Sequence, residues 1–461
     1  MGFKGGADDV GRHLGAALAA FVLGAVALPH LLPSLSQSPQ YDTPTSSAYY
    51  QEYMDRFASP SIRASNASDD GAVVSARDSV LFVIDMQRDF DERGGLVYTE
   101  EDVTEGRSPC ASRTACLPVR ESGAAADAIV DLLGAHEFAS VIASMDAHPS
   151  QHVSIPHAIP SAGCDANFSG RESYHDCRGT RHRAAWAAGG SDRTLEAFPP
   201  HAVAGTPGSG MVPSIAAALA RYPGEVLLAA KGSDANVDSF GAVPYTRRSF
   251  EAYERAGLLD PRDPHPAQLL RSMLTWEREG NEGDVEEGTG RGEERKGEGM
   301  ASGAHIFARG VHQDGRPVLP PLQIAGAGER KGEGEGKGEG EGGVVLGSSA
   351  WDAVVASRGK GARAVLVAGL ALDFCVADTA INAKALDPTM DVYVVIDAAR
   401  PAFLPMEVCE TNGFVKRDPS KQILKGGMSD GSDGCWLHDP RDVASVLETA
   451  GVQIIHTRHI V

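Results

Sequence analysis

Four apolar runs in this chain end in side chains that can do chemistry. SVLFVID (79–85) ends in Asp85, and ASVIASMD (139–146) ends in Asp146, two residues before His148. EVLLAAK (225–231) ends in Lys231, and RAVLVAGLAL (363–372) leads into GLALDFCVADTA, which holds Cys375. An acid, an amine and a thiol make a workable set for covalent catalysis. A free cysteine has a pKa of about 8.5 and is mostly protonated at neutral pH. Its attack on a carbonyl therefore needs a base or an electropositive setting. Asp85 would accept the thiol proton, and Lys231 would stabilise the thiolate and hold the carboxylate. A cysteine at a strand end is, by itself, more often a small core residue, so the rest of the chain must decide.

A second set points to a metal. Asp146 and His148 stand two residues apart, so in extended chain both face one side. FPPHAVAGTPGSG (198–210) adds His201. One carboxylate and two imidazoles suit one divalent transition ion, zinc first, with iron and manganese as alternatives. His152 is a candidate fourth ligand. His157, Asp165 and His175 are near in sequence but have no supporting spacing.

These residues need a frame that brings strand ends together. Six apolar stretches read as strands, at 79–85, 139–146, 225–231, 364–369, 391–397 and 452–456. Helical patterns lie between several of them, at 123–136, 348–361 and 378–386. Strands alternating with helices predict an α/β fold. It is a three-layer α/β/α sandwich around a mostly parallel six-stranded sheet, Rossmann-like in topology. In open sheets of this kind, ligands gather at the carboxyl ends of the strands.

The chain has 461 residues, a hydrophobic fraction of 42% and a formal net charge of −20. That balance excludes a nucleic-acid partner, which would require a basic face. Leu14–Leu28 is an uninterrupted apolar run, preceded by Arg12 and followed by Pro29. It reads as a signal peptide or a membrane tether, within a first segment of 1–33. Residues 34–76 read as a linker rich in Ser, Pro and Asp. The folded domain is expected over 77–246 and 348–461. Between its parts, 247–347 holds Gly/Glu/Lys tracts such as GERKGEGEGKGEGEGG (328–343) and reads as a low-complexity insertion. The seven cysteines comprise Cys375 and six in local pairs: Cys110 with Cys116, Cys164 with Cys177, Cys409 with Cys435. Such a set, with sequons at Asn66 and Asn167, fits the secretory route, extracellular or membrane-anchored. If the N-terminal run is no signal, an organellar or cytoplasmic site is the alternative. A homo-oligomer stays open.

Taken in order, IDMQRDF (84–90), MDAHPSQHVSI (145–155), FPPHAVAGTPG, KGSDANVDSF (231–240) and GLALDFCVADTA resemble the motifs of the nicotinamidases. These belong to the isochorismatase-like cysteine hydrolases. The resemblance covers about 79–245 and 348–400, with the last strand reaching about 457. It implies a catalytic triad of Asp85, Lys231 and Cys375, and metal ligands Asp146, His148 and His201. It also implies a cis peptide between Leu370 and Ala371 and an oxyanion hole made by the N–H groups of Ala371 and Cys375. Phe90 and Phe198 match positions that flank the substrate ring, and Phe240 matches an aromatic of the pocket. The implied activity is hydrolysis of nicotinamide to nicotinate and ammonia through a cysteine thioester, serving NAD salvage. Two departures stand out: Ala147 where the family usually has an aromatic, and Ala202 where a cysteine often follows the third ligand. Another amide or carbamoyl substrate on the same fold, or a silent binding protein, are the competing readings.

Overall fold

The computed structural model describes residues 48–57, 74–93, 95–110, 112–150, 152, 200–233, 240–257, 304–309, 311, 349–405, 425–427, 433–436 and 438–461. The N-terminal apolar run, both low-complexity tracts, Phe198, Cys164, Cys177 and Cys409 lie outside them. Among the described residues no helix is long and apolar enough to cross a membrane.

The strands are β1 Ser79–Ile84, β2 Ser140–Asp146, β3 Val226–Lys231, β4 His305–Arg309, β5 Ala364–Leu370, β6 Asp391–Arg400, β7 Phe403–Pro405, β8 Lys425–Gly427, β9 Asp433–Trp436 and β10 Gln453–Ile455. The principal helices are α1 Ala48–Phe57, α2 Ser122–Ala135, α3 Pro213–Arg221, α4 Arg247–Arg255, α5 Ala350–Gly359, α6 Ala377–Leu386 and α7 Pro440–Ala450. The main sheet has 7 strands in the order β10-β6-β5-β1-β2-β3-β4, and a separate 3-stranded sheet runs β7-β9-β8. Every neighbouring pair of the main sheet is parallel except β3 with β4.

Central strands buried on both faces read as continuous apolar runs, and β1 is buried at every position. Its side chains alternate between two cores. Val80, Phe82 and Ile84 face α1, α4, α5, α6 and α7. Leu81 and Val83 face α2 and α3. These are the three layers expected. Helix α5 begins as its sequence suggests: Ser349 caps the Asp352 N–H at 3.2 Å, and Asp352 returns a bond to the Ser349 N–H at 2.9 Å.

Three features differ from the sequence reading. The sheet has a seventh strand, because HIFAR (305–309) pairs antiparallel on the outer edge of β3. That strand and α4 lie inside the stretch read as an insertion, and α4 buries Phe250 and Tyr253 at helical spacing. Helix α1 lies inside the stretch read as a linker. It carries Tyr49, Tyr50, Tyr53 and Phe57, all buried. Four aromatics in ten residues can bury enough surface to order a helix against the domain, even where the surrounding composition is that of a linker.

Candidate active site

Four adjacent strands, β5-β1-β2-β3, deliver the polar groups at their carboxyl ends. Asp85 follows β1 with a left-handed φ of 48°. Asp146 ends β2 and Lys231 ends β3, and the two are direct partners in the parallel register. β5 ends beside β1, with Ile84 paired to Gly369. Gly369 has a φ of 120°, and a Cβ there would lie 2.1 Å from the Ile84 carbonyl oxygen. Only glycine lets the strands approach this closely. The next peptide bond, Leu370–Ala371, is cis. A single wide turn, Leu372–Val376, then sets Cys375 ahead of α6.

Lys231 is the hub. Its Nζ lies 2.8 Å from Asp85 Oδ2, 2.5 Å from Asp146 Oδ1 and 3.5 Å from Cys375 Sγ. All four residues are buried. The Ser144 hydroxyl donates to Asp85 Oδ1 at 2.7 Å. Burial works against the Lys231 charge, but Asp146 and Asp85 outweigh it and raise the amine's pKa well above its usual range. The two members of the pair do not benefit equally. Asp85 is raised to about 6 because burial costs its charge more than Lys231 returns. Cys375 is also pushed well up, by burial first, with Lys231 only partly opposing. At neutral pH the resting site therefore holds a thiol, an ammonium and a carboxylate able to take the thiol's proton.

Beside this trio, Asp146, His148 and His201 each offer a ligand atom, all within 4.8 Å of one another. The His148 Nδ1 lies 3.0 Å from the Gly232 carbonyl oxygen. Donation of an Nδ1 proton to that oxygen would leave Nε2 free for a metal. Gly232 is itself required, since a Cβ would lie 2.6 Å from His148 Cε1. Burial, with His201 adding, holds His148 well below the usual histidine range, in the neutral form a ligand needs. His152 is not in this group of three; its ring stacks on that of His148 at 4.1 Å. A second cluster, Asp85, Asp146 and Cys375, also has ligand spacing. The Lys231 ammonium contacts all three, so a cation already occupies that centre.

The cavity above these groups is lined by Phe90, Val119, Phe240, Phe374, Ala402 and Phe403, among others, with Asp85, Asp146, His148, His201 and Cys375 at its floor. Phe90 and Phe240 both line this cavity, and Ala371 lines it next to Cys375. Phe198 lies outside the described residues.

Sequence reasoning missed several contributors. Gln87 donates to the Asp146 and Ser209 carbonyls at 2.8 Å and accepts the Asp146 N–H at 2.8 Å, which fixes the end of β2 where Asp146 stands. Asp89 accepts from the N–H of Ala202 at 2.8 Å and of Cys116 at 3.2 Å, and from the Tyr98 hydroxyl. It thereby ties the His201 loop to the Leu117–Val119 wall. Cys110 and Cys116 form a disulfide just before that wall. Both Gln87 and Asp89 stand in the quoted IDMQRDF motif. Phe403 had no such signal.

No family model matches the chain, and no curated protein does. Solved structures do match. The PnC1 protein of L. infantum, in complex with nicotinate, is 16% identical, with 85% of this chain and 98% of that one covered and a TM-score of 0.36. A nicotinamidase of Acinetobacter baumanii is 15% identical, covering 83% and 97%, with a TM-score of 0.36. The Pyrococcus horikoshii pyrazinamidase in complex with zinc is 14% identical, covering 82% and 99%, with a TM-score of 0.33. Likeness at this level carries no argument about activity. The residues themselves must carry it.

Proposed function

We propose that the chain is a cysteine amidohydrolase of the nicotinamidase kind, converting nicotinamide to nicotinate and ammonia. One observation carries the reading: a buried lysine ammonium bridges Asp85, Asp146 and the Cys375 sulfur at the floor of an aromatic-lined cavity. An amide carbonyl above Cys375 would meet a nucleophile and a base, with the Lys231 ammonium directly behind both.

In the first half-reaction Asp85 takes the thiol proton, and Sγ bonds to the amide carbon. The N–H groups of Ala371 and Cys375 are assigned to the carbonyl oxygen as its charge grows. The carbon–nitrogen bond then breaks, and Asp85 returns the proton to the departing ammonia. In the second half Asp85 takes a proton from water, the oxygen attacks the thioester, and Sγ leaves with that proton. Asp146, His148 and His201 would hold a divalent ion, whose Lewis acidity suits a pyridine nitrogen. The aromatic lining, with Phe90 and Phe240, fits a flat ring better than an aliphatic acyl group. Product nicotinate would enter NAD salvage.

The secretory route is proposed on the apolar Leu14–Leu28 run and on the Cys110–Cys116 bridge, since disulfides persist in oxidising compartments. The first test is ammonia release from nicotinamide by the full chain, with metal content determined on the same sample. Release that requires Cys375 supports the reading. A folded, metal-loaded protein that releases none would move the site to another amide or carbamoyl substrate, or to a binding role.

A further inference from the structure

Phe240 reaches the cavity from a segment, 240–245, that belongs to no helix or strand of the fold. The helix that follows Cys375 holds it. The Tyr245 hydroxyl donates to Asp378 and accepts the N–H of Phe240 at 3.1 Å and of Gly241 at 2.9 Å. Thr379 accepts the Ala242 N–H at 3.0 Å and donates to the Cys375 carbonyl at 2.6 Å. Asn382 donates to the Val243 carbonyl at 2.8 Å. Asp378, Thr379 and Asn382 share one face of α6, and four consecutive backbone positions are tied to it. Tyr253, from α4, donates to the other Asp378 oxygen at 2.8 Å. Gly241 lets the segment lie this close, because a Cβ would meet Asn382 Nδ2 at 2.6 Å.

The whole network is buried. The Asp378 charge sits in the first turn of α6, where the helix dipole favours it. Burial and that charge push the Tyr245 hydroxyl well up, so it stays a donor. A tyrosine that only filled space would not donate to one element while accepting twice from another.

We propose that Tyr245 is a positioning residue: by locking the Phe240 backbone onto the helix of Cys375, it sets how well the pocket takes a flat ring beside the thiol. The proposal rests on the reading of Cys375 as the pocket's nucleophile. It gives the α4 segment, through Tyr253 and Asp378, a part in substrate selection.

The test compares alkylation of Cys375 in the full chain by iodoacetamide and by iodoacetanilide, the same reactive group without and with a ring. Peptide mass spectrometry assigns the site, and ammonia release is measured alongside. Tyr245→Phe should lower the iodoacetanilide-to-iodoacetamide rate ratio about fivefold, with the iodoacetamide rate changed less than about twofold. Phe240→Ala should lower the ratio alike, and adding Tyr245→Phe to it should change nothing further. An unchanged ratio in Tyr245→Phe, or an equal fall in both backgrounds, overturns the proposal. Should Tyr245→Phe not fold, Asp378→Ala, which removes the oxygen that accepts from the Tyr245 hydroxyl, carries the same test. The ratio should fall there too, and an unchanged ratio is again fatal. A wild type that shows this pattern but releases no ammonia from nicotinamide would sink the substrate reading and leave the positioning role standing.

Discussion

The floor of the cavity and its walls are held by different forces. The floor is a product of the sheet. Asp146 and Lys231 are register partners, Ile84 and Gly369 are register partners, and the ladder of backbone hydrogen bonds fixes their side chains within reach of one another. The walls come from outside the main sheet, from loops and from the first residue of β7, and side chains hold them in place. Phe240 is clipped by hydrogen bonds to α6. Phe403 is the register partner of Trp436 in the small sheet and is packed by rings: Tyr49 lies 5.3 Å away edge-on and Trp436 5.6 Å, while the Arg120 guanidinium sits over both Tyr49 and Phe403. Bond-making chemistry is therefore assigned to the rigid part of the molecule and ring preference to its periphery. Changes in the floor should alter kcat or stability, and changes in the walls should alter KM.

The largest expected effect is on the floor. Cys375→Ala should reduce ammonia release by on the order of 10⁴-fold or more, since a covalent route has no substitute for its nucleophile. Nicotinamide binding to that variant, measured by calorimetry, should stay within about threefold of wild type. Residual turnover near the wild-type rate would remove the mechanism. Next is Lys231→Met, which keeps the buried volume and leaves Asp85 and Asp146 facing each other without a cation. Breaking a buried charge cluster from one side costs about 3–5 kcal/mol, read as a lower midpoint in denaturant. An unchanged midpoint would mean that this ammonium does not hold the floor together.

The same contrast explains what the sequence disclosed. The floor was legible because β1, β2 and β3 are apolar runs that stop at a polar residue, β5 is one that leads into the Cys375 turn, and parallel strand ends converge whatever lies between them. Asp85, Lys231, Cys375, Asp146, His148 and His201 all meet there. The walls were less legible, because their supports are remote in the chain. The Tyr49 hydroxyl donates to the Pro401 carbonyl across 352 positions, from a helix whose surroundings read as linker. Strand β4 has five residues and emerges between low-complexity tracts, too short for periodicity to mark. Tyr245 and Asp378 are ordinary polar residues in sequence; only their meeting gives them a role.

Two smaller effects probe the edge of the floor. His201→Ala removes one of three ligand atoms and should lower metal affinity by about 100-fold, measured as metal retained through gel filtration. Retention equal to wild type would dissolve the proposed metal site. The pH profile should bend on the acid side. Asp85 must be a carboxylate to accept the thiol proton, and burial raises its pKa to about 6. Activity is therefore full above that value and is lost as pH falls through it, with kcat/KM dropping about tenfold per pH unit. A profile flat to pH 4.5 would show that Asp85 is not the base.

The smallest effect is the one that most sharpens the comparison. Tyr49→Leu keeps an apolar side chain in α1 but removes the edge contact to Phe403, the bond to Pro401 and one ring beneath Arg120. An aromatic pair contributes about 0.5–1.5 kcal/mol beyond its area. If part of that loss reaches the wall, KM for nicotinamide should rise about threefold with kcat unchanged. Equal falls in kcat and kcat/KM would mean instead that Phe403 helps align the reacting carbon, and the division between floor and wall would fail there. The test bears on α1 as a whole. A helix that lies ahead of the sheet in sequence, outside the matched motifs, would then be part of how the pocket recognises its ring.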